Sequence, residues 1–317
     1  MPMEKLLERL LAGDVIILDG GTGTEIKRRG LAQGLSRLAV EGMINAPDRL
    51  QEIHEDYIQA GADVIITNTY IGNGPALTRA GVDSERVREL NILAADTAKR
   101  AREAASGGRE VVIAGSMGPV GRSYDPDDVP PYETCLSTYQ EQARALAEGG
   151  VDVVLVEAVS RVSGAKAGVE ASREVGLSAW AAFVADSQGR VQSGESMKEA
   201  AEVLMSAGAT AILINCTPAP DVALALQELI RVWQLPIGAY AQAATYAGRG
   251  WEFAASMSPE QYLVYAQEWV SIGAQIVGGC CGTTPEHIRA LKASLPEKGP
   301  AKGRRKMPSG PPTIHRR

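Results

Sequence analysis

The sequence predicts a single domain of the α/β class, a (β/α)8 TIM barrel with a short helix in front and a basic tail behind, on three observations. Eight short apolar runs recur along the 317 residues, each followed by a segment with helical periodicity. The runs are nearly continuous in Val, Ile, Leu and Ala instead of alternating with polar residues, as strands buried on both faces are. Several helices end in the same phrase, Ala60-Gly61-Ala62-Asp63, Glu148-Gly149-Gly150-Val151-Asp152, Ala207-Gly208-Ala209 and Ile272-Gly273-Ala274, where the glycine supplies the C-cap that a short turn into a strand needs. A doubly wound open sheet is the alternative that the same pattern allows.

Taken in order, Leu6, Leu7, Leu10 and Leu11 recur at helical spacing within residues 3–11, which suits a helix closing one end of the fold. Strand one is Val15-Ile16-Ile17-Leu18. It runs into Asp19-Gly20-Gly21-Thr22-Gly23-Thr24-Glu25, read as a tight turn whose backbone amides can approach a ligand. The helix at 50–60 leads to strand two, 63–70, and the helix at 84–105 leads to strand three, 111–119. The helix at 134–148 precedes strand four, 151–158. The helix at 162–175 precedes strand five, 178–185, and that at 196–207 precedes strand six, 209–216. The helix at 222–233 leads to strand seven, 236–242, the helix at 259–271 leads to strand eight, 274–280, and a last helix covers 285–295. The barrel is assigned to residues 1–296 and a flexible basic tail to 297–317.

Composition narrows the class. Only 5% of residues are aromatic while 45% are hydrophobic, so the core is built from Val, Ile, Leu and Ala. Four cysteines in a chain of this length are no disulfide framework and fit a thiol or metal role. Seven of the 32 Lys and Arg fall within 298–317, which holds no Asp or Glu. The remaining residues therefore carry 25 Lys and Arg against 38 Asp and Glu, a net charge of −13. An acidic body argues against a nucleic-acid partner. No stretch reaches 18 consecutive apolar residues and the start has no apolar signal-like core, so the expectation is a cytoplasmic protein with no membrane partner.

In a barrel of this kind the reactive side chains stand at the carboxyl ends of the strands. Read off strand by strand, these are Asp19, Asn68 with Thr69, Ser116, Glu157, Cys216, Gln242 and the pair Cys280-Cys281. Adjacent residues of a regular strand face opposite sides, so both thiols of the pair reach one metal only if the strand ends there and the backbone bends. Gly278, Gly279 and Gly282 allow that bend. A third sulfur has to come from Cys216 or Cys135, and strands six and eight, with strand seven between them, can bring Cys216 to the pair without distorting the fold. Buried cysteines packed as small hydrophobes, or a redox disulfide, are the competing readings. Three thiolates around Zn2+ leave one open position, suited to holding a substrate thiol as a nucleophilic thiolate. Asp19 is either a turn former or, with Glu157, a ligand for the ammonium of an amino-acid thiol.

These residues also carry a resemblance. The motifs Asp19-Gly20-Gly21-Thr22-Gly23-Thr24-Glu25 with Arg29-Gly30, His54-x-x-Tyr57-x-x-Ala60-Gly61-Ala62-Asp63-Val64, Thr67-Asn68-Thr69-Tyr70, Gly115-Ser116-x-Gly118-Pro119, Glu157, Asn215-Cys216-Thr217-Pro218 and Gly278-Gly279-Cys280-Cys281-Gly282-Thr283-Thr284-Pro285-Glu286-His287-Ile288 resemble the homocysteine S-methyltransferase family over residues 15–295. The resemblance implies zinc held by Cys216, Cys280 and Cys281, and methyl transfer to the thiolate of homocysteine to form methionine. It implies that Asp19 and Glu157 contact the amino group, with Gly20, Thr22, Asn68, Ser116 and Gln242 lining the substrate site. The implied donor is betaine, S-methylmethionine, S-adenosylmethionine, or methyltetrahydrofolate passed through a corrinoid on a partner protein. Tyr70, Tyr124, Tyr240, Tyr246 and Trp251 are candidates to face a cationic donor, and a homo-oligomer is left open. Two positions depart from the family pattern, Gln242 in place of Asn and Ala158 in place of Thr after Glu157. A non-catalytic protein binding zinc and a thiol amino acid, methyl transfer to another small thiol, and a barrel lyase or hydrolase with core cysteines are the competing functions.

Overall fold

The structure is a computed structural model that describes residues 2–31, 38–246, 251–252 and 257–300. The tail beyond residue 300, and the side chains of the donor-site candidates Tyr246 and Trp251, lie outside the described residues. Along the chain the elements are α1 (Pro2–Leu11), β1 (Ile16–Ile17), α2 (Thr22–Arg28), α3 (Leu38–Asn45), α4 (Pro47–Ala60), β2 (Val64–Ile66), α5 (Gly74–Arg79), α6 (Val87–Ala105), β3 (Val112–Met117), α7 (Tyr132–Gly149), β4 (Val153–Val159), α8 (Val162–Glu174), β5 (Ala179–Phe183), α9 (Met197–Ala207), β6 (Ala211–Pro218), α10 (Val222–Val232), β7 (Ile237–Gln242), β8 (Thr245–Tyr246), β9 (Trp251–Glu252), α11 (Pro259–Ile272), β10 (Ile276–Gly279) and α12 (Pro285–Ser294).

Eight strands form one parallel sheet in the order β1, β10, β7, β6, β5, β4, β3, β2. The ring closes between β1 and β2, where Leu18 bridges Val64, Asp63 N–H donates to Ile17 O at 2.7 Å and Asp19 N–H donates to Val64 O at 2.9 Å. The fold is the expected (β/α)8 barrel, and its seam passes directly beneath Asp19. The small antiparallel hairpin β8–β9 sits outside the ring.

Period-two alternation sorts the core into two shells. Ile16, Leu18, Val112, Ala114, Val153, Leu155, Trp180, Ala182, Ala211 and Leu213 point into the barrel and pack with Leu6 and Leu10 of α1, which plugs the amino-terminal end. The residues between them, among them Ile17, Ile113, Val154, Ala181 and Ile212, pack outward against the helices. The predicted glycine caps hold: Gly61, Gly150, Gly208 and Gly273 all have positive φ. Helix starts are set chemically as well. Ser196 with Glu199, and Ser258 with Gln261, form capping boxes at α9 and α11.

Three features differ from the expectations. The Gly-rich stretch after β1 is a turn only as far as Gly21, because α2 begins at Thr22. Helices α3 and α5 occupy segments that carry no strong period in the sequence. Residues 297–300, assigned to the tail, begin by running back along the amino-terminal end: Val15 N–H donates to Glu297 O at 2.8 Å, Asp14 bridges Lys298, and Gly299 N–H donates to Gly13 O at 2.9 Å. Among the described residues no helix is long and apolar enough to cross a membrane.

His54, carried by the inner face of α4 beside Ile53, Tyr57 and Ile58, is fully buried, and neither ring nitrogen has a partner. Burial pushes its pKa down to about 4 from the usual 6.5. As pH falls, the unfolded chain therefore takes up this proton first, and stability is lost from about pH 6.5 down to pH 4, by roughly 3 kcal/mol in all. His54→Leu is expected to remove that loss. Its urea midpoint should gain on that of the wild type between pH 7 and pH 5, and a difference that does not change with pH would contradict the assignment.

Candidate metal and substrate site

The site is built from inward-facing residues one layer above the barrel core. The alternation that points Val112 and Ala114 inward also points Ser116 inward, and likewise Val153 and Leu155 lead to Glu157, and Ala211 and Leu213 to Asn215. From β7, Tyr240 reaches the same layer. Glu157 is the hub. Ser116 Oγ donates to Oε1 at 2.5 Å, Tyr240 OH donates to Oε2 at 3.0 Å, and Asn215 Nδ2 donates to Oε2 at 3.5 Å. Burial raises the Glu157 pKa to about 7, against the opposing pull of Ser116 and Tyr240. Asp19, with no exposed surface, accepts Ile66 N–H on Oδ2 at 2.8 Å, while its Oδ1 has no partner. Burial is the main cause that drives the Asp19 pKa well above its ordinary value, and the nearby Glu157 adds to it.

Three thiols complete the layer. β10 ends at Gly279, so Cys280 and Cys281 lie past the strand, where alternation no longer separates them. The bend is clamped throughout. Cys280 N–H donates to Ala241 O at 2.9 Å, Ala243 N–H donates to Cys281 O at 2.8 Å, Gly282 N–H donates to Thr24 Oγ1 at 2.9 Å, and Thr283 Oγ1 donates to Cys280 O at 2.7 Å. Behind it, α12 starts at the N-cap Thr284 with Pro285 in its first turn. Thr284 N–H donates to His287 Nδ1 at 3.2 Å, and His287 Nε2 lies 3.0 Å from Met257 O, so both ring nitrogens are engaged in holding the start of α12.

Cys216 arrives differently. By alternation from Ala211 it would face outward against the helices, but its φ of +48° is left-handed and turns its sulfur to the inner side. The sulfurs of Cys216 and Cys280 stand 3.0 Å apart, and those of Cys280 and Cys281 4.0 Å apart. Bringing strand six's thiol to the pair thus requires a local distortion, which alternation alone did not anticipate. Contacts first from Cys216 and then from Cys281 hold the Cys280 thiol well below its ordinary pKa, whereas contact with Cys280 is the first cause that raises Cys216 and Cys281. Cys135 is buried in α7, away from this cluster, with its thiol 3.4 Å from Pro130 O.

Three sulfur donors suit zinc or another thiophilic ion. Sulfurs around tetrahedral zinc stand about 3.8 Å apart, which the Cys280–Cys281 spacing approaches and the Cys216–Cys280 spacing undercuts. No cluster of three or more ligands is already set at metal-binding geometry among the described residues. The donor chemistry carries the fit: sulfurs of three cysteines converge at one mouth of the barrel, and thiolates are donors that zinc favours.

A family model described as homocysteine S-methyltransferase matches residues 16–295. The chain belongs to the homocysteine S-methyltransferase family. It is a methyltransferase by that membership, and its resemblances agree. Homocysteine S-methyltransferase 2 of Zea mays is 28% identical over 314 residues, covering 92% of this chain and 92% of its own. A selenocysteine methyltransferase of Astragalus bisulcatus is 28% identical, covering 88% of this chain and 92% of its own. The metallated form of the homocysteine methyltransferase MmuM of Escherichia coli superposes with a TM-score of 0.79 at 27% identity, covering 92% of this chain and 99% of that one.

In this family member the expected site residues are distributed unevenly. Asp19, Ser116, Glu157, Cys216, Cys280 and Cys281 gather at one mouth of the barrel. Gln242 ends β7 with its Oε1 buried and without a partner, and Asn68 is buried after β2. Gly20 is pressed by Tyr57 and Thr283, since an added methyl would stand 2.8 and 2.9 Å from their atoms. Thr22 heads α2. The Ser116 hydroxyl is engaged with Glu157. Tyr240, a candidate to face a donor, gives its hydroxyl to Glu157, and Asn215 is a site residue that the strand-end reading does not single out. Its position two residues beyond Leu213 was the signal that could have found it.

Gly282 has φ +87°, and a methyl there would lie 2.4 Å from Ala244 N. Gly282→Ala is therefore expected to cost about 1–3 kcal/mol and to loosen the thiol cluster. Chemical denaturation and the rate at which a disulfide reagent modifies the thiols measure the two effects, and no change in either would contradict the clamp.

Proposed function

We propose that this protein transfers a methyl group to the thiolate of homocysteine, giving methionine, with zinc held by Cys216, Cys280 and Cys281. One observation carries the reading: sulfurs from β6 and from the end of β10 converge within 3.0 and 4.0 Å, in the same layer as two buried carboxyls. Such a grouping serves a substrate with a thiol at one end and an ammonium at the other. Membership of the homocysteine S-methyltransferase family supports the acceptor, and the metallated form of MmuM supports a metal.

The residues divide the work. Asp19 presents Oδ1 without a partner in a site shielded from water, and a buried acceptor left this way costs roughly 1–3 kcal/mol until a donor arrives. The ammonium of the acceptor supplies that donor and restores both carboxylates to their charged forms. Ser116, Tyr240 and Asn215 hold Glu157 so that it keeps its orientation as its charge changes. Zinc held by Cys216, Cys280 and Cys281 would lower the pKa of an incoming thiol while the electron-rich Cys donors left its sulfur nucleophilic. The acceptor's sulfur would bond the donor's methyl carbon as the bond from that carbon to the departing group breaks. Tyr70 and Tyr124 pack against Cys216 and Cys280 together with Ala158 and Val184, and their rings suit a positively charged methyl donor such as a sulfonium or quaternary ammonium. The similarity to a selenocysteine methyltransferase favours a selenol amino acid as a second acceptor.

The zinc-loaded protein is expected to hold one zinc per chain and to lose it in Cys281→Ser. Incubated with homocysteine, or with selenocysteine, and in turn betaine, S-methylmethionine, S-adenosylmethionine or methyltetrahydrofolate, it should add 14 mass units (one CH2 in place of H, ~14 Da) to the acceptor with at least one donor. Binding of zinc and homocysteine without turnover for any donor would point to a carrier, and normal folding with no metal bound would overturn the reading. A separate expectation concerns the amino group: Glu157→Gln should weaken homocysteine binding by about tenfold, of the order of one charge-assisted hydrogen bond, while leaving binding of 4-mercaptobutyrate, the same thiol without the amine, nearly unchanged. Calorimetric titration of both ligands compares them.

A further inference from the structure

Two groups with different tasks, the carboxylate of Glu157 and the thiol of Cys216, share one neighbour. Asn215 is fully buried on β6, and its carboxamide meets both: Nδ2 donates to Glu157 Oε2 at 3.5 Å and to Cys216 Sγ at 3.4 Å. Its Oδ1 accepts the backbone N–H of Ala158 at 3.0 Å. The amide can be oriented in only one way, since a carboxylate and a sulfur on one side call for donors and an N–H on the other calls for an acceptor. Two residues beside these contacts have left-handed backbone. Ala158, following Glu157, has φ +54°, and Cys216, following Asn215, has φ +48°. Neither is a glycine or an asparagine, so neither adopts that conformation without an external hold.

We infer that Asn215 is a positioning residue that couples the two ends of the substrate site, tying the group that reads the ammonium to a sulfur that holds the metal. Through Oδ1 it fixes the backbone that aims Glu157 and through Nδ2 it fixes both the carboxylate and the Cys216 sulfur. The spacing between the ammonium site and the thiol site is thereby set from one side chain, which makes the two ends bind cooperatively. This inference presumes the zinc and homocysteine reading given above. Groups one step out from metal ligands, when altered, typically change metal affinity by about 10- to 100-fold.

N215D separates the functions, because it keeps an acceptor for Ala158 N–H and replaces the donor by an oxygen that repels Glu157 and a thiolate. The zinc-loaded N215D protein, titrated with a chromophoric chelator, is expected to release zinc at roughly 10- to 100-fold lower chelator affinity than the wild type. Its preference for homocysteine over 4-mercaptobutyrate, measured by calorimetry, should fall by about tenfold. Retention of both quantities within twofold would overturn the inference. A second measurement needs no variant. At saturating concentrations of either thiol, coupling makes homocysteine protect zinc from the chelator more strongly than 4-mercaptobutyrate does, because only the amine acts on the metal through Glu157 and Asn215. Equal protection overturns the coupling even if N215D does not fold. If the wild type binds no zinc or no homocysteine, the function proposed above fails; if it binds both and these comparisons are flat, only the role of Asn215 fails.

Discussion

Keeping two carboxyls out of water within reach of three sulfurs is the constraint around which this barrel mouth is arranged. Burial alone opposes charge on Asp19 and Glu157, and their proximity adds to the opposition at Asp19. The structure meets the two cases differently. Glu157 has three side-chain donors drawn from β3, β6 and β7. Asp19 has the single amide of Ile66, made available because the barrel closes at that seam, and keeps one oxygen open. A site that is satisfied at one carboxyl and unsatisfied at the other is poised for a cation, since the missing partner is the one a substrate ammonium brings.

The thiols impose a second demand, on the backbone. Regular strands would send Cys216 to the helix side and would separate Cys280 from Cys281. The fold answers with a left-handed residue in β6 and with an early end to β10, followed by Gly282 at φ +87°. Left-handed conformations at non-glycine residues cost of order 1–3 kcal/mol each, and here they are confined to the mouth, with Tyr124, Ala158 and Cys216 as the described instances. The two-shell core below, plugged by α1, is regular and carries no such cost. Strain and function thus occupy the same layer, above a rigid base.

Support for that layer extends outward through polar contacts that bypass the substrate side. Thr69 Oγ1 donates to Ser116 O at 2.7 Å, and Gln142 Nε2 reaches both Thr69 O and Ser116 O from α7. Tyr262 of α11 accepts Ala241 N–H and lies 2.8 Å from Gly278 O, bracing β7 against β10 beneath the paired thiols. Helices on opposite sides of the barrel therefore hold the strand ends that carry Glu157's partner Ser116 and the Cys280–Cys281 bend.

Much of this was legible from the residues in order. The strand–helix repeat, the glycine caps and the continuous apolar strands depend on local propensity and burial, which act within a dozen residues, so the barrel and the strand-end positions of Asp19, Ser116, Glu157 and the cysteines could be read directly. Helices α3 and α5, eight and six residues long, are too short to show a helical period, and α5 is set by its N-cap Asn73, whose Oδ1 accepts Ala76 N–H at 3.0 Å, and by Pro75 in its first turn. The partners within the site were also hidden. Ser116 and Tyr240 looked like contacts for ligands, and only the assembled ring shows their hydroxyls on Glu157. The direction of Cys216 was decided by tertiary structure alone: the sign of its φ is a choice no neighbour in sequence dictates. Around it, Asn215 bonds the backbone of Ala158, 57 residues away along the chain, and the Cys216 sulfur meets that of Cys280, 64 residues away.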